Sequence, residues 1–137
     1  MQKAKNRIVL DTNLWISFLL TKELSKLDKI LADKKVLLIF TEELLEEPVE
    51  VMSRSKFSKY FTTSDTEHLL LLIRERSIFI EVISKVEMCR DPKDNFLLSL
   101  CVDGNASHLI TGDKDLLVLG KIGKTQIISI KEYLNKL

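Results

Sequence analysis

The sequence predicts an α/β sandwich, in which helices cover both faces of a mostly parallel five-stranded sheet. Three observations support this fold class. Short apolar segments alternate along the chain with longer segments in which apolar residues recur at helical spacing. The first two apolar segments, residues 8–10 and 36–40, are continuous runs, which are typical of strands buried on both faces of a parallel sheet. The length of 137 residues fits one domain, which we assign to residues 1–137.

The remaining elements follow in order. Residues 78–83 have the alternating, β-branched pattern of a third strand, and residues 109–111 and 126–130 supply the fourth and fifth strands. Helices are predicted at residues 14–20, 25–33, 42–52, 64–76, within the segment 90–101, and at residues 113–119 and 131–137, with a short helix or turn at 57–61. A turn containing Pro92 leads into the fifth of these helices, and Gly104 is expected to end it.

Composition narrows the class of protein. The 21 Lys and Arg residues nearly balance the 20 Asp and Glu residues, so the net charge of +1 neither indicates nor excludes a nucleic-acid partner. The two cysteines, Cys89 and Cys101, form no CxxC pair, and a structural zinc site is therefore not expected. The apolar runs are too short to span a bilayer and no signal peptide is apparent, so we expect a cytoplasmic protein without a membrane partner.

Three aspartates stand where the predicted fold would bring them together. Asp11 and Asp113 come just after the first and fourth strands, and in parallel sheets the ligand site lies at these carboxyl ends. Asp94 shares a helix face with Leu97 and Cys101, which puts a carboxylate on the face that is expected to be buried. A buried carboxylate is costly unless a cation or hydrogen bonds compensate it, so the pattern suggests a metal ion.

Glu47 is the fourth candidate, because it lies at the border of the apolar stripe of helix 42–52. Taken singly, each aspartate is more commonly a helix N-cap, and a run of glutamates is usually a solvated face. Taken together, the four carboxylates would repel one another unless a divalent cation lay between them. Carboxylates without histidine or cysteine favour Mg²⁺ or Mn²⁺, and such sites support phosphoryl transfer. Neither His68 nor His108 is assigned a catalytic role.

Four segments carry a family resemblance. They are Ile8-Val9-Leu10-Asp11-Thr12-Asn13, Thr41-Glu42-Glu43-Leu44-Leu45-Glu46-Glu47, Asp91-Pro92-Lys93-Asp94-Asn95-Phe96-Leu97 and Leu109-Ile110-Thr111-Gly112-Asp113-Lys114-Asp115-Leu116-Leu117. In their order and spacing, which span nearly the whole chain, they resemble the motifs of the PIN domain, a small nuclease fold found in many toxins of toxin–antitoxin pairs. The similarity is greatest to the VapC-like bacterial and archaeal branch of toxin components, with its DPKD and TGDKDLL signatures.

The resemblance implies a role for each matching residue. The catalytic residues and metal ligands of the family match Asp11, Glu47, Asp94 and Asp113. Asp115 matches a further, less constant metal ligand, and Asp91 matches a turn residue that assists. Thr12 and Asn13 match the polar pair that helps to orient the first aspartate.

The resemblance also implies an activity and partners. The family has the strand order 3-2-1-4-5, binds one or two Mg²⁺ or Mn²⁺ ions, and cleaves single-stranded RNA by metal-activated water. Homodimers are common in the family, and toxins of this kind are neutralised by a partner antitoxin. We therefore expect an Mg²⁺- or Mn²⁺-dependent ribonuclease that forms a homodimer and has single-stranded RNA and an antitoxin protein as partners.

One residue departs from the family pattern, and two other functions remain open. Pro48 stands where members usually carry a helix-friendly residue, and a bend there would move Glu47 and transfer its role to Glu46 or Glu43. A haloacid-dehalogenase-like phosphatase is the weaker alternative, because its general acid would fall on Asn13, which cannot give up a proton. The other alternative is a non-catalytic PIN module that binds RNA or protein.

Overall fold

The computed structural model describes residues 6–21, 29, 30, 32, 35–53 and 63–136 of the 137-residue chain. Within these residues the strands are β1 (Asn6–Leu10), β2 (Val36–Phe40), β3 (Ser77–Phe79), β4 (His108–Ile110), β5 (Lys121–Ile122) and β6 (Thr125–Ile128). The helices are α1 (Thr12–Thr21), α2 (Glu42–Ser53), α3 (Thr63–Arg76), α4 (Pro92–Asp103), α5 (Lys114–Leu117) and α6 (Ile130–Asn135), and residues 29 and 30 are also helical. In this part of the chain no helix combines the length and the hydrophobicity that crossing a bilayer requires.

Two of the predicted elements lie wholly or largely outside the described residues. The predicted turn or short helix at residues 57–61 lies outside the described residues. So does most of the predicted helix 25–33, of which residues 29, 30 and 32 are described. The buried side chain of Ile30 belongs to the apolar core of the sheet.

The strands form one sheet in the order β3-β2-β1-β4-β6-β5. β2 and β4 lie on either side of β1 and run parallel to it, with Ile8 opposite both Leu38 and His108. β3 and β6 continue the sheet in the same direction. Because β6 is the fifth predicted strand, this arrangement confirms the α/β fold, the mostly parallel sheet and the order 3-2-1-4-5 of the five predicted strands.

The sheet contains six strands, which corrects the predicted number of five. β5 is two residues long and pairs antiparallel with β6, so that Ile122 lies opposite Thr125. Gly123 begins the two-residue turn between them with a φ of 55°, a conformation that such hairpin turns require and that glycine adopts without strain. A strand of this length is too short to show an alternating pattern in the sequence.

The third strand is shorter than the predicted range 78–83, because β3 ends at Phe79. The following residues run beside α4, where the side chains of Asn95, Ser99 and Asp103 accept hydrogen bonds from backbone N–H groups. Side-chain exposure still alternates along residues 81–87, as it does in a strand. The sequence pattern therefore identified an extended segment correctly, but not that α4 replaces a neighbouring strand as its partner.

Apolar side chains from several helices cover the central strands. The buried residues Ile8, Leu38 and Leu109 of β1, β2 and β4 belong to one cluster with Trp15 of α1, Ile73 of α3, Leu98 of α4 and Tyr133 of α6. Burial of a large apolar side chain contributes about 1.5–3 kcal/mol, so this cluster holds the three central strands side by side. The carboxyl ends of β1 and β4 are fixed next to each other as a result.

Gly104 ends α4, as predicted, because a side chain at this position would have no room. Its φ of −87° is available to any residue, and its N–H donates to the carbonyl oxygen of Leu100 at 2.8 Å. A Cβ atom at this position would lie 2.6 Å from Cγ2 of Ile39 and 3.0 Å from the Leu100 carbonyl oxygen. Only a residue without a side chain lets the end of α4 approach β2 this closely.

Gly104→Ala should therefore destabilise the protein. The added methyl group has to displace the Ile39 side chain or the end of α4, and overpacking of this kind costs about 1–3 kcal/mol. Urea denaturation at equilibrium would measure the loss. Gly112→Ala is the matched control, because its Cβ would meet no atom within 4 Å. Equal effects of the two substitutions would contradict this account of Gly104.

Candidate metal centre

Hydrogen bonds join the residues that follow β1 and β4 at the carboxyl edge of the sheet. Thr111 comes directly after β4, and its Oγ1 donates to Oδ2 of Asp11 at 2.7 Å. Thr111 Oγ1 also accepts a hydrogen bond from the backbone N–H of Asp113 at 3.0 Å. Thr111 is fully buried and thus links the two aspartates that the sequence placed at this edge. Sequence reasoning did not single it out, although a hydroxyl residue directly after a buried strand was a usable signal.

Asp11 is held in place from several directions. Its side chain is 4% exposed, and Oδ1 accepts from the backbone N–H of Asn13 at 3.1 Å. The N–H of Asp11 donates to the carbonyl oxygen of Ile110 at 3.0 Å, which extends the pairing of β1 and β4 by one residue. The main chain of Asn13 thus helps to fix the Asp11 carboxylate.

The first turn of α4 places Asp94 against the sheet. Asp91 is the N-cap residue, and its Oδ1 accepts from the N–H of Lys93 at 2.9 Å. Pro92 occupies the start of the helix, where its missing N–H costs no helical hydrogen bond. Asp94 is 6% exposed and shares the buried part of α4 with Leu97. It lies where the helical spacing predicted it.

Carboxylates crowd together at this edge of the sheet. Oxygens of Asp94, Asp113 and Asp115 lie within 4.8 Å of one another. Burial raises the pKa of Asp94 to about 6, reinforced by a side-chain hydrogen bond with Asp113 and by the charges of Asp113, Asp91 and Asp11. A raised carboxyl pKa marks a place where negative charge is poorly compensated, and a bound cation would compensate it.

The residues present fit a hard divalent cation. Oxygens bound to one Mg²⁺ at about 2.1 Å lie at most about 4.2 Å apart, so the three clustered carboxylates need only a small rearrangement to share an ion. The thiol of Cys89 lies nearby, and burial together with the charges of Asp94 and Asp115 raises its pKa. This disfavours the thiolate form that binds metals, and the clustered donors among the described residues are carboxylate oxygens of Asp94, Asp113 and Asp115.

A cavity of about 300 Å³ opens onto the acidic residues. Asp11, Asp94 and Asp113 line it together with Lys93 and with Glu43 of α2. The described side chains therefore bring three of the four predicted catalytic aspartates and glutamates to one cavity. Glu47, the fourth, lies in α2 as well, but its side chain is outside the described residues.

Asp113 and Asp115 stand at the entrance to α5. The N–H of Asp115 donates to Oδ1 of Asp113 at 2.9 Å, so Asp113 is the N-cap of this short helix. The simpler interpretation of the aspartates as helix caps is thus correct for Asp113, whereas Asp94 lies in the first turn of α4 and Asp91 is the residue that caps it. A capping carboxylate keeps lone pairs that can also bind a cation. Arg90 Nη2 lies 3.6 Å from Asp115 Oδ2, and because both side chains are exposed this pair adds little stability.

A family model described as "PIN domain" matches residues 7–115, which is most of the chain. The chain belongs to the PIN domain family. PIN domains are generally nucleases, and they use divalent metals. The Uncharacterized protein MJ1680 of Methanocaldococcus jannaschii is 28% identical over 122 residues, which cover 87% of this PIN domain chain and 78% of that protein. No solved structure matches the chain significantly.

The raised pKa of Asp94 predicts how the stability of the metal-free protein depends on pH. Because the pKa in the folded state, about 6, lies above the ordinary value of 3.8, the stabilising contribution is complete in acid and is lost as the pH rises through about 6. We expect Asp94→Asn to increase the free energy of unfolding at about pH 7.5 by on the order of 1 kcal/mol, and to change it little at about pH 4. Urea denaturation in EDTA at both pH values measures this.

Asp103, on the same helix, is the matched control. Hydrogen bonds from the side chain and backbone of Ser84 and from the N–H of Ile83 lower the pKa of Asp103. Its contribution is therefore present at neutral pH and lost as the pH falls through its folded pKa, so Asp103→Asn should destabilise the protein at about pH 7.5. If Asp94→Asn also destabilised the metal-free protein at that pH, charge repulsion would not be the dominant force in the cluster.

Proposed function

We propose that this protein is a metal-dependent endoribonuclease that hydrolyses single-stranded RNA, with Asp11, Glu47, Asp94 and Asp113 as catalytic residues. The convergence of Asp11, Asp94 and Asp113 on one cavity is the observation that supports the proposal most strongly. Asp115, whose carboxylate lies within 4.8 Å of those of Asp94 and Asp113, is proposed as a further metal ligand. Mg²⁺ or Mn²⁺ is the cofactor that suits these oxygen donors.

The chemistry follows from what the cavity holds. A divalent cation in this site would neutralise charge on a phosphate oxygen and make a water molecule a better nucleophile at neutral pH. The hydrogen bonds from Thr111 and Asn13 fix the Asp11 carboxylate, so its orientation does not have to be organised during the reaction. Lys93 lines the same cavity and adds a positive charge beside the acids, where the phosphate would lie.

The proposal for partners and cellular role is based on the sequence motifs and on the family. The four motifs resemble those of toxin components most closely, and the PIN family often has RNA and antitoxin proteins as partners. We therefore propose that the protein acts in the cytoplasm as the toxin of a toxin–antitoxin pair, forms a homodimer and is inhibited by a bound antitoxin.

Cleavage should depend on the divalent ion and on the buried aspartates. We expect the wild-type protein to cut a mixed-sequence single-stranded RNA in Mg²⁺ or Mn²⁺ but not in EDTA. Asp11→Asn and Asp94→Asn should each lower the rate at least about 100-fold, because each loses a charge that the bound ion needs. The measurement is single-turnover cleavage of end-labelled RNA, with thermal unfolding to confirm that both variants remain folded.

The outcomes of this experiment distinguish a nuclease from a non-catalytic RNA-binding module. Wild-type rates in both variants would refute the nuclease proposal. A protein that bound RNA equally well with and without Asp11→Asn, and cut it in neither form, would instead be a binding module. Cleavage that persisted in EDTA would exclude the role given to the metal.

The glutamates of α2 can be tested against one another. Glu43 lines the cavity, and Glu47 follows it by one helical turn on the same face, next to Pro48. We expect Glu47→Gln to reduce cleavage about 100-fold as the loss of a ligand, and Glu43→Gln about 10-fold as the loss of a nearby carboxylate. Glu46→Gln, at an exposed position between them, should have no effect, and a loss of cleavage there would assign the ligand role to Glu46. The reverse order of the first two would assign the ligand role to Glu43.

A further inference from the structure

A second cavity lies directly beside the acidic one. It has a volume of about 510 Å³, and its walls are the extended segment 82–87 and the first two turns of α4. Phe96, a half-buried residue of α4, lines both cavities. The second cavity, called the side groove below, therefore adjoins the proposed catalytic site at Phe96.

Hydrogen bonds from α4 fix the outer wall of the side groove. Asn95, Ser99 and Asp103 are spaced four residues apart and thus lie on one face of the helix. Asn95 Oδ1 accepts from the N–H groups of Met88 and Cys89 at 3.0 and 2.7 Å. Because α4 holds this segment at several points along its length, the groove is preformed.

The same bonds consume most of the polar atoms that the groove could offer to a ligand. Ser99 Oγ donates its only proton to the carbonyl oxygen of Asn95 at 2.9 Å and accepts from the N–H of Val86 at 3.0 Å. Asn95 Oδ1 already accepts two hydrogen bonds, and its Nδ2 donates to the carbonyl oxygen of Cys89. What remains for a ligand is mainly apolar surface, contributed by Val82, Val86 and the ring of Phe96.

We propose that the side groove binds one base of the single-stranded RNA, from the nucleotide next to the phosphate that is cut, and that this base stacks on Phe96. The inference rests on the proposed function. The volume of the side groove lies within the range of about 300–1,000 Å³ that small-ligand clefts have. An unpaired base is flat, largely apolar on its faces and attached to a phosphate. A chain that entered the acidic cavity with its phosphate would meet the ring of Phe96 with the neighbouring base.

This mode of binding tolerates different bases. Every base has a face that can stack on an aromatic ring, whereas reading the edge of a base requires free donors and acceptors. The polar atoms of Asn95 and Ser99 are largely engaged with the backbone of the wall, so the groove gives little discrimination among the four bases. The exposed Lys85 and Glu87 at its rim are of opposite charge, which leaves stacking as the main contribution.

The test removes bases from the RNA and the ring from the protein. A set of short single-stranded RNAs, each with one abasic nucleotide at a different position relative to the cut, is bound to the wild-type protein in Ca²⁺ and cleaved in Mg²⁺. At one position next to the cut, loss of the base should weaken binding and reduce kcat/KM about 5- to 150-fold, as stacking on an aromatic side chain predicts. Exchanging the base at that position for any other should change binding less than about 5-fold.

Variants of Phe96 identify the surface on which the base stacks. Phe96→Leu keeps apolar bulk and loses the ring, so it should weaken binding of intact RNA to the level of the abasic RNA, while Phe96→Trp should retain binding. In Phe96→Leu the abasic nucleotide should have no further effect. Phe79→Leu is the matched control. Phe79, in β3, is also half-buried, but its ring packs on Phe40 of β2 and on Arg74 of α3, and it lines neither cavity.

The possible results separate this inference from the proposed function. If no abasic position and no Phe96 substitution alters the cleavage or binding of RNA, the side-groove inference is overturned and the proposed nuclease function is unaffected. Binding without cleavage still tests the groove, through the same abasic and Phe96 effects on affinity. Absence of both binding and cleavage in the wild-type protein overturns the two together, and equal losses in Phe96→Leu and Phe79→Leu assign the effect to stability.

Discussion

The burial and close approach of carboxylates at the carboxyl edge of the sheet are the constraint on which the rest of this structure depends. Asp11 and Asp113 follow adjacent parallel strands and Asp94 comes from the first turn of α4, and all three line one cavity. Asp94 and Asp113 share a hydrogen bond, and the pKa of Asp94 is raised to about 6. The strands cannot separate to relieve this crowding, because their apolar side chains are buried together in the core.

The constraint explains why the acids are so firmly held. Thr111 donates to Asp11 and accepts from the main chain of Asp113, so one buried hydroxyl fixes two of the acidic positions. A cation brought into such a site would need only a small rearrangement of the clustered carboxylates, and electrostatic stabilisation is most effective when little has to be reorganised.

Helix α4 connects the acidic cavity to the side groove. Its buried part carries Asp94 and Leu97 against the sheet, while Asn95, Ser99 and Asp103 bind the extended segment that leads away from β3. A displacement of α4 would therefore move a proposed metal ligand and the wall of the groove together. Gly104 contributes to this coupling, because the absence of a side chain lets the end of the helix contact Ile39 of β2.

The sequence by itself determined the strands and helices that matter, and the positions of Asp11, Asp94 and Asp113 on them, because helical and strand periodicity are local properties of the chain. It did not reveal Thr111, the hairpin at Gly123 or the side-chain ladder on α4. Only the tertiary structure decided these, since each depends on which polar groups come within hydrogen-bonding distance of one another, and periodicity carries no such information. The burial that raises the pKa of Asp94, and the neighbouring carboxylates that reinforce it, likewise exist only once distant residues meet.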